Sequence, residues 1–331
     1  AGYVANINAD LGLATLDIDS GTANLNVASS AASIDLSGGT LNVAGNTAMS
    51  GNLTWSSGTI AGGGVLSLAG VLDQSSNTTV FLRQTTLVHS NSSGNSRIAK
   101  TGGNFYLSGT SELRNAAGAV LTVDTSGGNF GTYYSSGAGG TLHNQGTLNK
   151  TGSGALYIYN PTRLQQAGQL NLQQGSIIVQ GGSGHLLSGN TALADGTALQ
   201  LTSSHTSTIS ATARFSGDGQ LLHESGTLTL ADGARIDVAY TQASGSLSLT
   251  GSATMNDDFI WNSGTVRAAD LATAGTLTLN GAFIQSGNTT RYRTTTTTTT
   301  TVTTTTKDQT FRGGERQRLG AGVDLLLRDT T

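Results

Sequence analysis

The chain has 331 residues and a formal net charge of −3, with 47 glycines, one proline, no cysteine and 11% charged side chains. The charged share is less than half the usual ~25%, and Glu and Lys, which face solvent on helices, number three each, so the composition excludes a helical protein and favours strands joined by tight turns. It also excludes disulfides and thiolate metal sites, a basic nucleic-acid surface, and a helical membrane span, since no apolar run approaches ~20 residues.

The first elements are short alternating strands. Leu16-x-Ile18, Leu25-x-Val27, Ile34-x-Leu36 and Leu41-x-Val43 each place two apolar side chains on one face, with Gly21, Gly38-Gly39 and Gly45 between them as turns. The pattern continues at Leu66-x-Leu68, Leu121-x-Val123, Leu170-x-Leu172, Leu199-x-Leu201, Leu228-x-Leu230, Leu247-x-Leu249 and Leu277-x-Leu279. Strands this short, at spacings longer than a hairpin turn, predict an all-β chain folded as a β-solenoid over residues 1–290. Each coil contributes two or three strands, and a right-handed parallel β-helix is the expected form. With coils of roughly 20–25 residues, about a dozen would stack at the ordinary strand spacing of ~4.8 Å into a rod of about 60 Å.

A long internal repeat supports this architecture. Residues 39–79 match 245–290: a shift of 206 places Met49 on Met255, Trp55 on Trp261 and Ser57-Gly58-Thr59 on Ser263-Gly264-Thr265. After a five-residue slip, Asn77-Thr78-Thr79 falls on Asn288-Thr289-Thr290. The two methionines and two tryptophans that coincide are the only ones in the chain, which composition bias does not explain. Long repeats mean serial stacking.

Shorter phrases recur as well. Ala99-Lys100-Thr101-Gly102-Gly103 and Asn149-Lys150-Thr151-Gly152-Ser153-Gly154 each run into an aromatic strand, and Leu142-His143-Asn144-Gln145-Gly146-Thr147-Leu148 is echoed by Leu222-His223-Glu224-Ser225-Gly226-Thr227-Leu228. The Lys-Thr-Gly-x-Gly phrases resemble the passenger repeats of bacterial autotransporters. The Asn-x-Gly-Thr-Leu phrases resemble adhesins of the filamentous-haemagglutinin type. The resemblance covers most of residues 1–290 and implies a secreted or surface-attached bacterial β-solenoid. No signal peptide opens the chain, so such a protein is expected here in mature or fragment form.

Residues 291–331 differ. Residues 1–290 carry nine basic and 15 acidic side chains, whereas 291–331 carry seven and four. Thr294–Thr301 and Thr303–Thr306 are homopolymer runs broken by Val302. This basic, Thr-rich tail reads as a linker or as a degraded continuation of the repeat.

The search for chemistry returns little. Asp257-Asp258 has the adjacency used by acid/base hydrolases, yet the first repeat copy holds Gly51-Asn52 there, which points to a turn. Asp17 and Asp19 share one strand face and read as solvated. His89, His143, His185, His205 and His223 show no metal-ligand spacing, and His143 and His223 share a repeat position that reads as a corner. No catalytic residue, metal or cofactor is expected. The candidates for ligand binding are Trp55 and Trp261, because exposed aromatic rings stack on sugars. The competing reading fills a solenoid corner with each ring, since Leu53-x-Trp55 and Phe259-x-Trp261 place an apolar neighbour on the same face.

The expectation is a non-enzymatic structural protein, extracellular or on a bacterial cell surface. It would serve as an adhesin stalk, or as a filament subunit joined end to end or to neighbouring repeats of a longer chain, with surface polysaccharide as a further partner. The alternative is a carbohydrate-active or carbohydrate-binding β-helix.

Overall fold

The computed structural model of the protein describes residues 3–10, 12–100, 103–133, 139–269, 275–285, 317–319 and 323–327. Among these residues there is no helix. Parallel strands stack as a β-solenoid of about thirteen turns, or about 60 Å of rod at the strand spacing of ~4.8 Å.

Each turn has three faces. Gly58–Ala61 lies on the first, Val65–Leu68 on the second and Leu72–Ser75 on the third, before Val80–Arg83 returns to the first. Register holds strands over their counterparts: Phe81 lies beside Thr59, Leu87 beside Leu66 and Arg97 beside Asp73. On the third face the ladder is interrupted once, between Arg214–Ser216 and Ala234–Ile236. The alternating apolar pairs supply the inward columns, so Leu66 and Leu68, Leu199 and Leu201, and Leu247 and Leu249 are all buried. Each such side chain contributes about 1.5–3 kcal/mol on leaving water, less the entropy of ordering it.

The turns are unequal. Eighteen residues separate Val4 from its partner Thr22, 27 separate Tyr106 from Tyr133, and 19 separate Tyr240 from Phe259. Added residues enter the corners, as between Thr86–His89 and Ser96–Ala99. Corners are also where glycine is required. Gly58 holds φ +87, and a Cβ there would stand 2.5 Å from the carbonyl oxygen of Gly39 one turn below. Gly264 repeats this over Gly245, at 2.3 Å. The repeated Ser-Gly-Thr phrase therefore marks a corner where backbone stacks directly on backbone.

The long repeat does not follow the turns. Thr40–Val43 is on the first face, but its copy Ser246–Leu249 is on the second. Thr47–Met49 moves from the second face to the third in Ser252–Met255, and Leu53–Trp55 from the third to the first in Phe259–Trp261. The copies are thus nine turns plus one strand apart.

Beyond the last parallel strands the direction reverses. Gln317–Leu319 pairs antiparallel with Phe283–Gln285 on the first face, and Val323–Leu327 pairs antiparallel with Gly275–Leu279 on the third. The Thr tract at 294–306 and its reading as a linker fall outside the described residues.

Candidate functional site

The one-face offset separates the two tryptophans. Trp55 succeeds Leu36 in an inward column of the third face. It is completely buried, edge-to-face on Phe105 with centroids 5.3 Å apart. Its ring has no surface to offer a ligand, so the binding role expected of Trp55 gives way to a core role. Trp261 sits on the first face, partly buried against the core, 6.3 Å from the Phe283 ring, and its Nε1 donates to the Ser263 carbonyl at 2.9 Å. Of the pair, Trp261 alone reaches the surface.

The acidic candidates make local hydrogen bonds or face solvent. Asp257 Oδ1 accepts from the Asp258 amide at 2.7 Å, and Asp258 Oδ1 accepts from the Ala282 amide one turn on at 2.9 Å. Asp19 accepts from the Ser37 hydroxyl at 2.6 Å, while Asp17 lies exposed beside Asp35.

His143 and His223 do not share an environment, contrary to the repeat-position reading. His143 faces outward on the second face, where its Nδ1 lies 2.8 Å from Glu112, which Arg114 also clasps at 2.7 Å. His223 is fully buried; Leu222, its neighbour, takes the outward position. A one-residue slip in strand register turns every side chain over, and the first half of this echo is slipped by one, whereas Leu148 and Leu228 in its second half are both buried.

The interior polar groups hold the coils together. Near one edge of the second face, His89, Asn115, Asn144 and Gln166 occupy one inward column between Leu68 and Leu187. Asn115 Nδ2 donates to Asn144 Oδ1, and Asn144 Nδ2 to Gln166 Oε1, both at 2.8 Å. His89 Nδ1 must then donate to Asn115 Oδ1 at 2.8 Å, while Nε2 accepts from Ser96 Oγ at 2.7 Å. Burial lowers the His89 pKa, against the opposing Asn115 bond.

At the corners the buried groups are cationic or aromatic. Lys150 Nζ donates to the carbonyls of Thr151, Gly152 and Gln174 at 3.1, 2.9 and 2.9 Å, and Lys100 Nζ donates to the Thr78 carbonyl at 2.6 Å. Burial brings both amines down to about 8. Further along, His205 and His223 meet edge-to-face at 5.4 Å; Ser207 Oγ is 2.9 Å from one and Tyr240 Oη 3.0 Å from the other. Burial pushes both down to about 4, with neighbouring imidazoles adding to the shift at His205, so both are neutral at pH 7. Among the described residues, no group of three His, Asp or Glu could hold a metal.

What remains for recognition is the outward side of the first face. Its parallel strands contain one charged residue, Arg83, apart from the buried His223. Arg83 lies 4.6 Å from the Phe81 ring centroid, and Phe81 stacks on Tyr106 one turn up at 4.9 Å. Two turns on, Tyr157 and Tyr159 stack at 5.2 Å. From Tyr157 one outward column runs through Ile178, Gln200, Leu222, Thr241, Ile260 and Ile284, one residue per turn and each half-buried. The outward columns of the other faces carry charge, with Asp35, Asp73, Arg97 and Arg235 on the third and Arg114, His143 and Arg267 on the second, where Val88 and Leu186 also face outward.

Comparison with protein-family models, curated proteins and solved structures finds no match. The geometry of the rod therefore carries the functional reading.

Proposed function

We propose that this chain is a non-catalytic structural rod of the extracellular, bacterial cell-surface kind, acting as the stalk of an adhesin. The observation that carries the reading is the parallel stacking of about thirteen turns, with a ladder on the first face that runs unbroken from Val4–Ile7 to Phe283–Gln285. Such a stack transmits position along its axis through nearest-neighbour contacts. The buried polar groups fit this role, because the amide column and the buried lysines join successive coils. The motifs that resemble autotransporter and haemagglutinin-type repeats agree with it.

Between stalk and filament, the antiparallel strands Gln317–Leu319 and Val323–Leu327 favour the stalk. They occupy the pairing edges of the first and third faces on that side, where a second parallel coil would otherwise add. Electron microscopy of the full chain at several concentrations tests the reading. Particles should stay about 60 Å long at every concentration. Fibres with a fixed axial repeat would replace the stalk with a filament subunit. Polysaccharide cleavage lost in Asp257→Asn/Asp258→Asn would replace it with an enzyme.

A further inference from the structure

The first face presents a surface that does not suit a rod standing alone in water. Ten of its turns, from Val80–Arg83 to Phe283–Gln285, have Arg83 as their one solvent-facing charge. Their outward positions include Phe81, Tyr157, Ile178, Leu222, Ile260 and Ile284. Gln200 and Thr241 interrupt the column, but a half-buried, mostly apolar stripe that runs most of the length of a rod is the kind of surface that marks an interaction site. Nearly charge-free surface also loses little when water leaves it.

We propose that this face is the side-by-side interface between two copies of the chain. Two features select a second copy over an unrelated partner. The first is period: the column presents one outward side chain per turn, at ~4.8 Å, and a second copy carries the same spacing, so its ridges meet these grooves along the whole length. The second is area. Ten turns at ~4.8 Å and four residues at ~3.3 Å give a footprint of roughly 600 Å² per copy, or about 1,200 Å² in total, the lower bound for a specific, stable interface. A glycan strand or short peptide would cover only one column of this surface.

The stacked rings point the same way. Phe81 on Tyr106, and Tyr157 on Tyr159, already turn ring faces toward each other. A flat apolar partner that packs against ring edges fits this arrangement better than a sugar that needs a free ring face. The inference goes beyond the stalk reading and does not depend on it, since pairing is read from mass and the stalk from particle length.

The test is the mass of the full chain in solution by sedimentation equilibrium across the micromolar range. Wild type should weigh twice the chain mass of 33.5 kDa. Leu222→Lys/Ile260→Lys should shift to the single-chain mass, with dimerisation weakened at least about 100-fold. Thr122→Lys/Thr229→Lys, which adds the same charges to outward positions of the third and second faces, should leave the dimer intact. Circular dichroism verifies that each variant is folded. Because the chain has no cysteine, Gln200→Cys supplies an independent readout on a nearly native surface: oxidation should give a disulfide-linked dimer, and Thr229→Cys should not. A wild type of single-chain mass throughout overturns the proposal. So does equal weakening by both lysine pairs, or cross-linking at Thr229→Cys alone.

Discussion

Asn144→Leu puts a side chain of similar size into the middle of the buried amide column and interrupts it. Three groups lose partners: Gln166 Oε1 and the Gln169 carbonyl, which both accepted from Asn144 Nδ2, and one N–H of Asn115 Nδ2, which donated to Asn144 Oδ1. The other Asn115 N–H keeps the Thr147 carbonyl. Each orphaned buried group costs about 1–3 kcal/mol, and burying leucine in place of the amide returns roughly 1.5–3 kcal/mol. The net loss should be about 2–5 kcal/mol. Gln166→Leu alone orphans one N–H of Asn144. The double variant leaves the Asn115 N–H and the Gln169, Gly168 and Asn190 carbonyls without their side-chain partners. Neither end of the Asn144–Gln166 bond is left orphaned, however, so the two losses should fall short of additive by about 1–3 kcal/mol. Urea unfolding by far-UV circular dichroism, with a common slope for the three variants, measures each change. Simple additivity, or an Asn144→Leu variant as stable as wild type, would refute the claim that the column acts as one connected unit.

Three further outcomes follow from the same interior. His205 and His223 hold folded-state pKa values near 4 against an unfolded value of ~6.5, so their contribution is intact above pH 6.5 and is lost as pH falls toward 4. Taken alone, each accounts for about 3 kcal/mol, and His205→Gln/His223→Gln should flatten the stability profile over that window in pH-dependent urea melts. Lys150 is the opposite limb: the folded amine titrates near 8 and the unfolded one at ~10.5, so the unfolded state binds more protons between these values and wild type should gain stability there as pH rises. Lys150→Met should lack that gain and, at pH 7, should be less stable through the carbonyls it leaves without their donor. Finally, Gly118 and Gly245 share φ near +80, but a Cβ meets nothing within 4 Å at Gly118, whereas at Gly245 it stands 2.6 Å from the Gly226 oxygen. Gly118→Ala should cost only the left-handed penalty of about 1–2 kcal/mol and Gly245→Ala distinctly more; equal losses in thermal unfolding would remove stacking from the explanation.

The inward apolar columns were legible because alternation is a local signal. Leu121 and Val123, or Leu228 and Leu230, stand two apart in sequence and side by side in the core. The polar column was not, because polarity alone assigns His89, Asn115, Asn144 and Gln166 to solvent. A subtler signal existed: each follows an inward leucine by two residues, Leu87, Leu113, Leu142 and Leu164, and therefore shares its face. Trp55 and Trp261 show a different loss. Their identical repeat positions gave no sign that the copies occupy different faces, because the count of strands between them depends on corners whose lengths vary.

The offset between copies also says what the smallest interchangeable part of this molecule is. Segments nine turns and one strand apart retain their likeness, so a strand with its corner fits more than one face and is not tied to its place in a complete circuit. Inserting three such parts lengthens the reach of the rod and leaves the heading of everything beyond unchanged. Inserting one or two swings all later surfaces about the axis by a third or two-thirds of a revolution. Reach and heading are thereby separately adjustable along one shaft, and the count of strands between two surface stripes, modulo three, decides whether they point the same way.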